Sequence, residues 1–111
     1  MLSSPSGQRF VEQSFGRAKD QLSSVLRDPE GSRYKAVHEF ASMDGVFLCG
    51  QVNMRNGFGG FAGYTRFIAG PQKVWLPSDD GLGDLDLERN WPAHCEKSPA
   101  NHDMGEVRLF N

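Results

Sequence analysis

The chain has little that announces a chemistry. Among 111 residues there are two cysteines, Cys49 and Cys95, and three histidines, His38, His94 and His102. Zinc sites usually show paired ligands two to four residues apart. Nothing here matches C-x-x-C, and His94 and Cys95 are adjacent, so no metal site is expected. The G-x-S-x-G signature of a nucleophilic serine is missing too. No apolar run approaches the roughly 20 residues that cross a bilayer as a helix. Positive charge has no excess: 12 basic against 14 acidic side chains leave a net charge of −2. That excludes a general electrostatic grip on nucleic acid or an anionic membrane. The first residues, Met1 to Gly7, lack the basic region and apolar core of a signal peptide. Either the protein is cytosolic, or this is a mature segment behind a new Met1.

What is present concentrates between Cys49 and Phe67, where glycines alternate with aromatics. Asn56-Gly57 lies between two apolar runs, and Asn-Gly is the strongest short-range hairpin signal because both turn positions need positive φ. Two strands, 46–55 and 58–68, are therefore expected. A two-residue turn would set Val52 opposite Phe61, Leu48 opposite Thr65 and Val46 opposite Phe67. One face then carries Val46, Leu48, Val52, Met54, Phe61 and Phe67 and reads as core. The other carries Phe47, Cys49, Gln51, Asn53, Arg55, Phe58, Ala62, Tyr64 and Arg66 and reads as partly open.

Ahead of the hairpin, residues 1–7 read as a flexible leader and 8–111 as a single domain. From Gln8 to Arg27, Val11, Phe15, Ala18, Leu22 and Val25 repeat at helical spacing, with Ser6 as a cap. Asp28-Pro29-Glu30-Gly31 ends that helix. Residues 33–40 alternate as a strand with Tyr34, Ala36, His38 and Phe40 on one side. Gln72–Leu76 reads as a fourth strand, Ser78–Asp86 as an acidic loop, and 87–97 as a short helix capped by Asn90, with Pro92 in its first turn. Ser98–Gly105 reads as loop and Glu106–Phe110 as a final strand. The expected fold is α+β: one long amphipathic helix on a twisted antiparallel sheet of four to five strands.

Each chemical reading competes with a plainer one. Asp79, Asp80, Asp84, Asp86 and Glu88 could supply oxygens to a cation. The EF-hand spacing fails, so a solvated acidic loop is the expectation. The glycines after Asn56 do not open a helix, as a phosphate loop would, and the match to an RNA-recognition strand is loose. Glycines within a strand mark bulges, twist or close backbone approach. Arg55, Phe58, Tyr64 and Arg66 belong to residue types enriched at interface hot spots.

From Leu26 to Cys95 the chain resembles a group of small, mostly uncharacterised exported proteins of Gram-negative bacteria and their mobile elements. The carrying residues are Asp28-Pro29-Glu30-Gly31-Ser32-Arg33-Tyr34, then Cys49-Gly50-Gln51-Val52-Asn53, Asn56, Phe58-Gly59-Gly60-Phe61, Gly63-Tyr64 and Phe67, with Trp91 to Cys95. Met54-Arg55 and the acidic loop depart from the pattern. The resemblance implies an exported domain with a Cys49–Cys95 bridge and brings no activity with it. The hairpin faces agree with that bridge, because Cys49 points away from the helix-covered core and Trp91 and Cys95 could pack a short helix there.

The functional expectation is a non-enzymatic protein-binding domain of the cell envelope, periplasmic or envelope-associated, with no cofactor. Its concrete form would be an immunity protein or inhibitor of a secreted antibacterial effector, a toxin or hydrolase. The expected contact residues are Asn53, Arg55, Phe58, Tyr64, Arg66, Asp79, Asp80, Asp84 and Asp86. Two alternatives stand beside it: a small ligand carrier or enzyme using Gln51, Asn53, Tyr64 and Arg66, and a phage-encoded cytosolic inhibitor with reduced cysteines.

Overall fold

The computed structural model describes residues 5–55, 61–77 and 82–110. Helix α1 (Pro5–Val25) is followed by strands β1 (Arg33–Ser42), β2 (Gly45–Arg55), β3 (Phe61–Ala69) and β4 (Val74–Trp75), helix α2 (Leu82–Cys95) and strand β5 (His102–Glu106). The five strands form one antiparallel sheet in the order β4-β3-β2-β1-β5. This is an α+β fold with a helix against each face.

Helix α1 forms where the apolar spacing predicts it, but begins at Pro5, so Ser6 lies inside the helix instead of capping it. Its stripe of Ala18 and Leu22, with Leu26 just beyond, is buried, and Val11 and Phe15 flank it; Val25 is 51% exposed and turns away. Ser14 is buried on the same side and its Oγ accepts the Val46 N–H at 2.7 Å, fixing the helix to the start of β2. The helix gives way to a tight turn. Asp28 Oδ1 accepts the Gly31 N–H at 2.9 Å, and the Asp28 carbonyl accepts both the N–H and the hydroxyl of Ser32. A side chain at position 31 would collide with the Asp28 carboxylate. Tyr34 closes the turn by donating its hydroxyl to the Pro29 carbonyl at 2.6 Å. Burial, with the Asp28 charge nearby, pushes its phenol well above the usual range.

The two faces of β2 and β3 are as expected, while their register is not. Val52 stands opposite Thr65 and Leu48 opposite Ala69, four residues along from the pairing a two-residue turn would set. Arg55 pairs with Phe61, and the Asn56-Gly57 turn lies outside the described residues. Side chains alternate with period two, so a slip by an even number leaves every face unchanged. Val46, Leu48, Val52 and Phe67 are accordingly buried toward α1, with Met54 packed against them. The Phe61 side chain lies outside the described residues.

Strand β1 departs from simple alternation. Its register shifts between Lys35 and His38, and Ala36 sits there at φ +53°. The bulge moves Tyr34 and Val37 to the α1 side and His38 and Phe40 to the other. Across the ladder, Gly50 comes so close that a Cβ there would lie 2.6 Å from Val37 Cα. At the far edge, β5 pairs with β1 through His102–Glu106, not through the alternating segment 106–110. Val107 adds one further bond, its N–H to the Val37 carbonyl at 2.9 Å. Leu109 is then buried and Phe110 packs against Tyr34, ring centroids 5.7 Å apart. The alternation of Val107 and Leu109 thus marks burial without a ladder.

Candidate functional site

The sheet face away from α1 divides into two halves. One half is a closed cluster of Phe40, Phe47, Cys49, Ile68, Leu87 and Cys95, with Trp75 and Trp91 against it. The lid over this half is α2, which presents Leu87, Trp91 and Cys95 four residues apart on one side. Cys49 and Cys95 are joined by a disulfide with Cα atoms 5.7 Å apart. Helix α2 starts at Leu82, before the expected 87–97, so Asp84 and Asp86 are helical and Pro92 lies inside the last turn, not the first. Asn90 is no cap: its amide donates to the Asp86 carbonyl at 2.8 Å and to Asp86 Oδ1. Asp86 also pairs with Lys73, Nζ to Oδ2 3.2 Å.

The other half of this face is exposed. Cross-strand partners put Lys35, Gln51 and Arg66 in one row, and Arg33, Asn53 and Tyr64 in the next. Lys35, Tyr64 and Arg66 are exposed and Gln51 and Asn53 half-buried. Asn53 Oδ1 accepts the Gly63 N–H at 2.9 Å, at a residue with φ +105° that glycine tolerates. The Lys35 ammonium lies 4.4 Å from the Tyr64 ring centroid, and the Arg66 guanidinium 4.8 Å from that of Trp91. Trp91 therefore belongs both to the closed cluster and to the boundary of the exposed half.

Of the residues expected to bind a partner, the fold brings Asn53, Tyr64 and Arg66 onto one face. Arg55 follows on β2 and Asp84 lies in α2, with their side chains outside the described residues; Phe58, Asp79 and Asp80 lie outside entirely. Asp86 is tied to Lys73 and Asn90. Sequence reasoning missed Lys35 and the second role of Trp91. Lys35 reaches Tyr64 across β2, and only the strand order makes them neighbours.

Other arrangements are present elsewhere. His94 lies flat on Phe47, centroids 4.0 Å apart and planes 11° apart, with Trp75 on its flank; burial lowers its pKa. These rings and Asp44, Gln72 and Lys73 line a 440 Å³ cavity. His38 Nδ1 and Asp103 Oδ1 are 3.1 Å apart. The Gly105 N–H and His38 together hold the Asp103 carboxyl below its usual range. Both cysteines are in the bridge, and no hydroxyl bonds to His38 among the described residues. The described residues hold no cluster of three His, Cys, Asp or Glu side chains fit for a metal, and no helix among them is long and apolar enough to cross a membrane. Gln51, Asn53 and Tyr64 line none of the 590, 480, 440 and 210 Å³ cavities, while Lys35 lines the 590 Å³ one and Arg66 the 210 Å³ one. No protein-family model matches this chain, no curated protein matches it and no solved structure matches it, so a functional reading rests on the chain's own geometry.

Proposed function

We propose that this chain is a non-enzymatic protein-binding domain of the bacterial cell envelope, acting as an immunity protein or inhibitor that covers a secreted antibacterial effector. One observation carries the reading. A disulfide-held helix closes half of a sheet face, and the adjoining half exposes Tyr64 and Arg66 beside half-buried Asn53. Exposed Arg and aromatic side chains on a rigid sheet are the materials of an interface anchor. A standard interface needs about 800 Å² from each partner. A Cys49–Cys95 bridge fits an oxidising compartment such as the periplasm. Among the described residues, Gln51, Asn53 and Tyr64 line none of the cavities above and Arg66 lines one of 210 Å³, below the usual range of ligand pockets, which weighs against the ligand-carrier alternative.

The test has two stages. Oxidised protein is used to capture its partner from the source cell, and the partner is identified by mass spectrometry. The expected result is one stoichiometric protein whose toxic or hydrolytic activity falls on titration with this chain, with R66E losing the effect. Failure to inhibit at full occupancy would remove the inhibitor role, and the lack of any stoichiometric partner would remove protein binding.

A further inference from the structure

We infer that the exposed half of the sheet recognises an acidic polypeptide segment, through two cations propped on aromatic rings. The inference rests on the protein-binding reading and names the chemistry of the partner. Lys35 Nζ stands 4.4 Å from the Tyr64 centroid, and Arg66 Cζ stands 4.8 Å from the Trp91 centroid. A ring quadrupole holds each cation over its face, which restrains a side chain that would otherwise sample many rotamers. Binding then loses less entropy on ordering, the usual gain from preorganisation. Gln51 lies between Lys35 and Arg66 in their row and Asn53 stands in the next; with Asn53 Oδ1 turned to the Gly63 N–H, its Nδ2 remains as a hydrogen-bond donor. Two positive groups flanking neutral donors suit carboxylates spaced along an extended chain.

The same geometry argues against nucleic acid. Single strands are gripped by bases stacking on aromatic faces, and here each of the two rings carries a cation on a face. At the closed half the rings pack on one another, and Lys73, 5.0 Å from the Trp75 centroid, is paired with the Asp86 carboxylate.

The probe is a 20-residue poly-L-glutamate, titrated into isotope-labelled protein and followed by amide and indole chemical shifts. The expected result is saturable shifts centred on Lys35, Gln51, Tyr64, Arg66 and the Trp91 indole, weakening as salt is raised. K35E/R66E should bind at least about tenfold more weakly. Y64L keeps the charge at an exposed position and should lose about two- to fivefold, the range expected for one exposed cation–ring contact. Shifts centred elsewhere, no saturation, or Y64L binding like the parent would overturn the inference. So would equal or tighter binding of a 12-nucleotide single-stranded DNA at the same residues. The protein-binding reading fails separately, by the lack of any stoichiometric partner; a captured partner that binds K35E/R66E undiminished would sink the acidic inference and Arg66 as an anchor while leaving protein binding on another surface.

Discussion

The two faces of this sheet are stabilised by different means. Toward α1 the buried cluster is mostly aliphatic, running from Ala18 and Leu22 through Val37, Val46, Leu48 and Val52 to Leu109, with Phe67 buried in it and Phe15, Tyr34 and Phe110 packed against it. Toward α2 the cluster is small and ring-rich, with Phe40, Phe47, Trp75 and Trp91 around the Cys49–Cys95 bridge. The first face is held by burial along a 21-residue helix, the second by a 14-residue helix that is covalently pinned. Helix α2 shows little amphipathic pattern beyond Leu87, Trp91 and Cys95, and Pro92 within it removes an N–H from its hydrogen-bond ladder. A helix so poor in its own pattern depends on what it is tied to. The exposed, basic half of the sheet therefore lies beside a covalently pinned helix.

Removing the bridge should break this contrast most strongly. Cys49→Ala with Cys95→Ala opens a loop of 46 residues and should lower stability by about 4 kcal/mol on loop-entropy grounds, read from urea unfolding. Hydrogen exchange should rise first in α2, with β2 and α1 protected longest. Uniform loss across both helices would refute the division into two faces.

A smaller effect is expected from the other side. Leu22→Ala empties a fully buried site on α1 and should cost about 3 kcal/mol. Its exchange signature should be the reverse, with protection falling across α1 and the sheet together. Gly50→Ala tests the meeting of β1 and β2, since its Cβ would press on the Val37 backbone at 2.6 Å. A loss of about 2 kcal/mol is expected as the strands shift to admit it, and a neutral result would show that the bulge at Ala36 absorbs the methyl.

The smallest effect concerns Glu39, a half-buried carboxylate on the α1 side whose pKa burial raises. A carboxyl raised in the folded state adds stability below its unfolded pKa and loses it as pH climbs through the folded value. Glu39→Gln should therefore be more stable than the parent at pH 7. The gap should close as pH falls into the ordinary glutamate range near about 4.3. Thermal melts at both pH values would decide it, and an equal gap at both would point away from ionisation.

Much of the fold was legible because it depends on period alone. The stripe of Ala18 and Leu22 needs only helical spacing, and the faces of β2 and β3 need only alternation, which survived a register four residues from the expected one. The Asp28-Pro29-Glu30-Gly31 stop was legible because Pro and Asp act on their immediate neighbours. Ala36 was not, since nothing in alanine signals positive φ, and it takes that conformation because the sheet around it holds it there. Nor was the start of α2 at Leu82, where two glycines precede Asp84 and packing on Phe47 and Ile68 outweighs weak local preference. Of the exposed surface, Tyr64 and Arg66 were legible as face-mates, whereas Lys35 was not, because its partner lies two strands away.

By itself the sequence determined the class of fold, the helix that covers one face, and which side of the hairpin is buried. These follow from side-chain periodicity and from turn residues whose effect is local. Tertiary structure decided the register, the bulge in β1, the choice of 102–106 over 106–110 as the edge strand, and the division of the second face into closed and exposed halves. Those outcomes depend on which backbone edges and side chains meet across long sequence separations. Only packing and hydrogen-bond pairing in three dimensions can select among them.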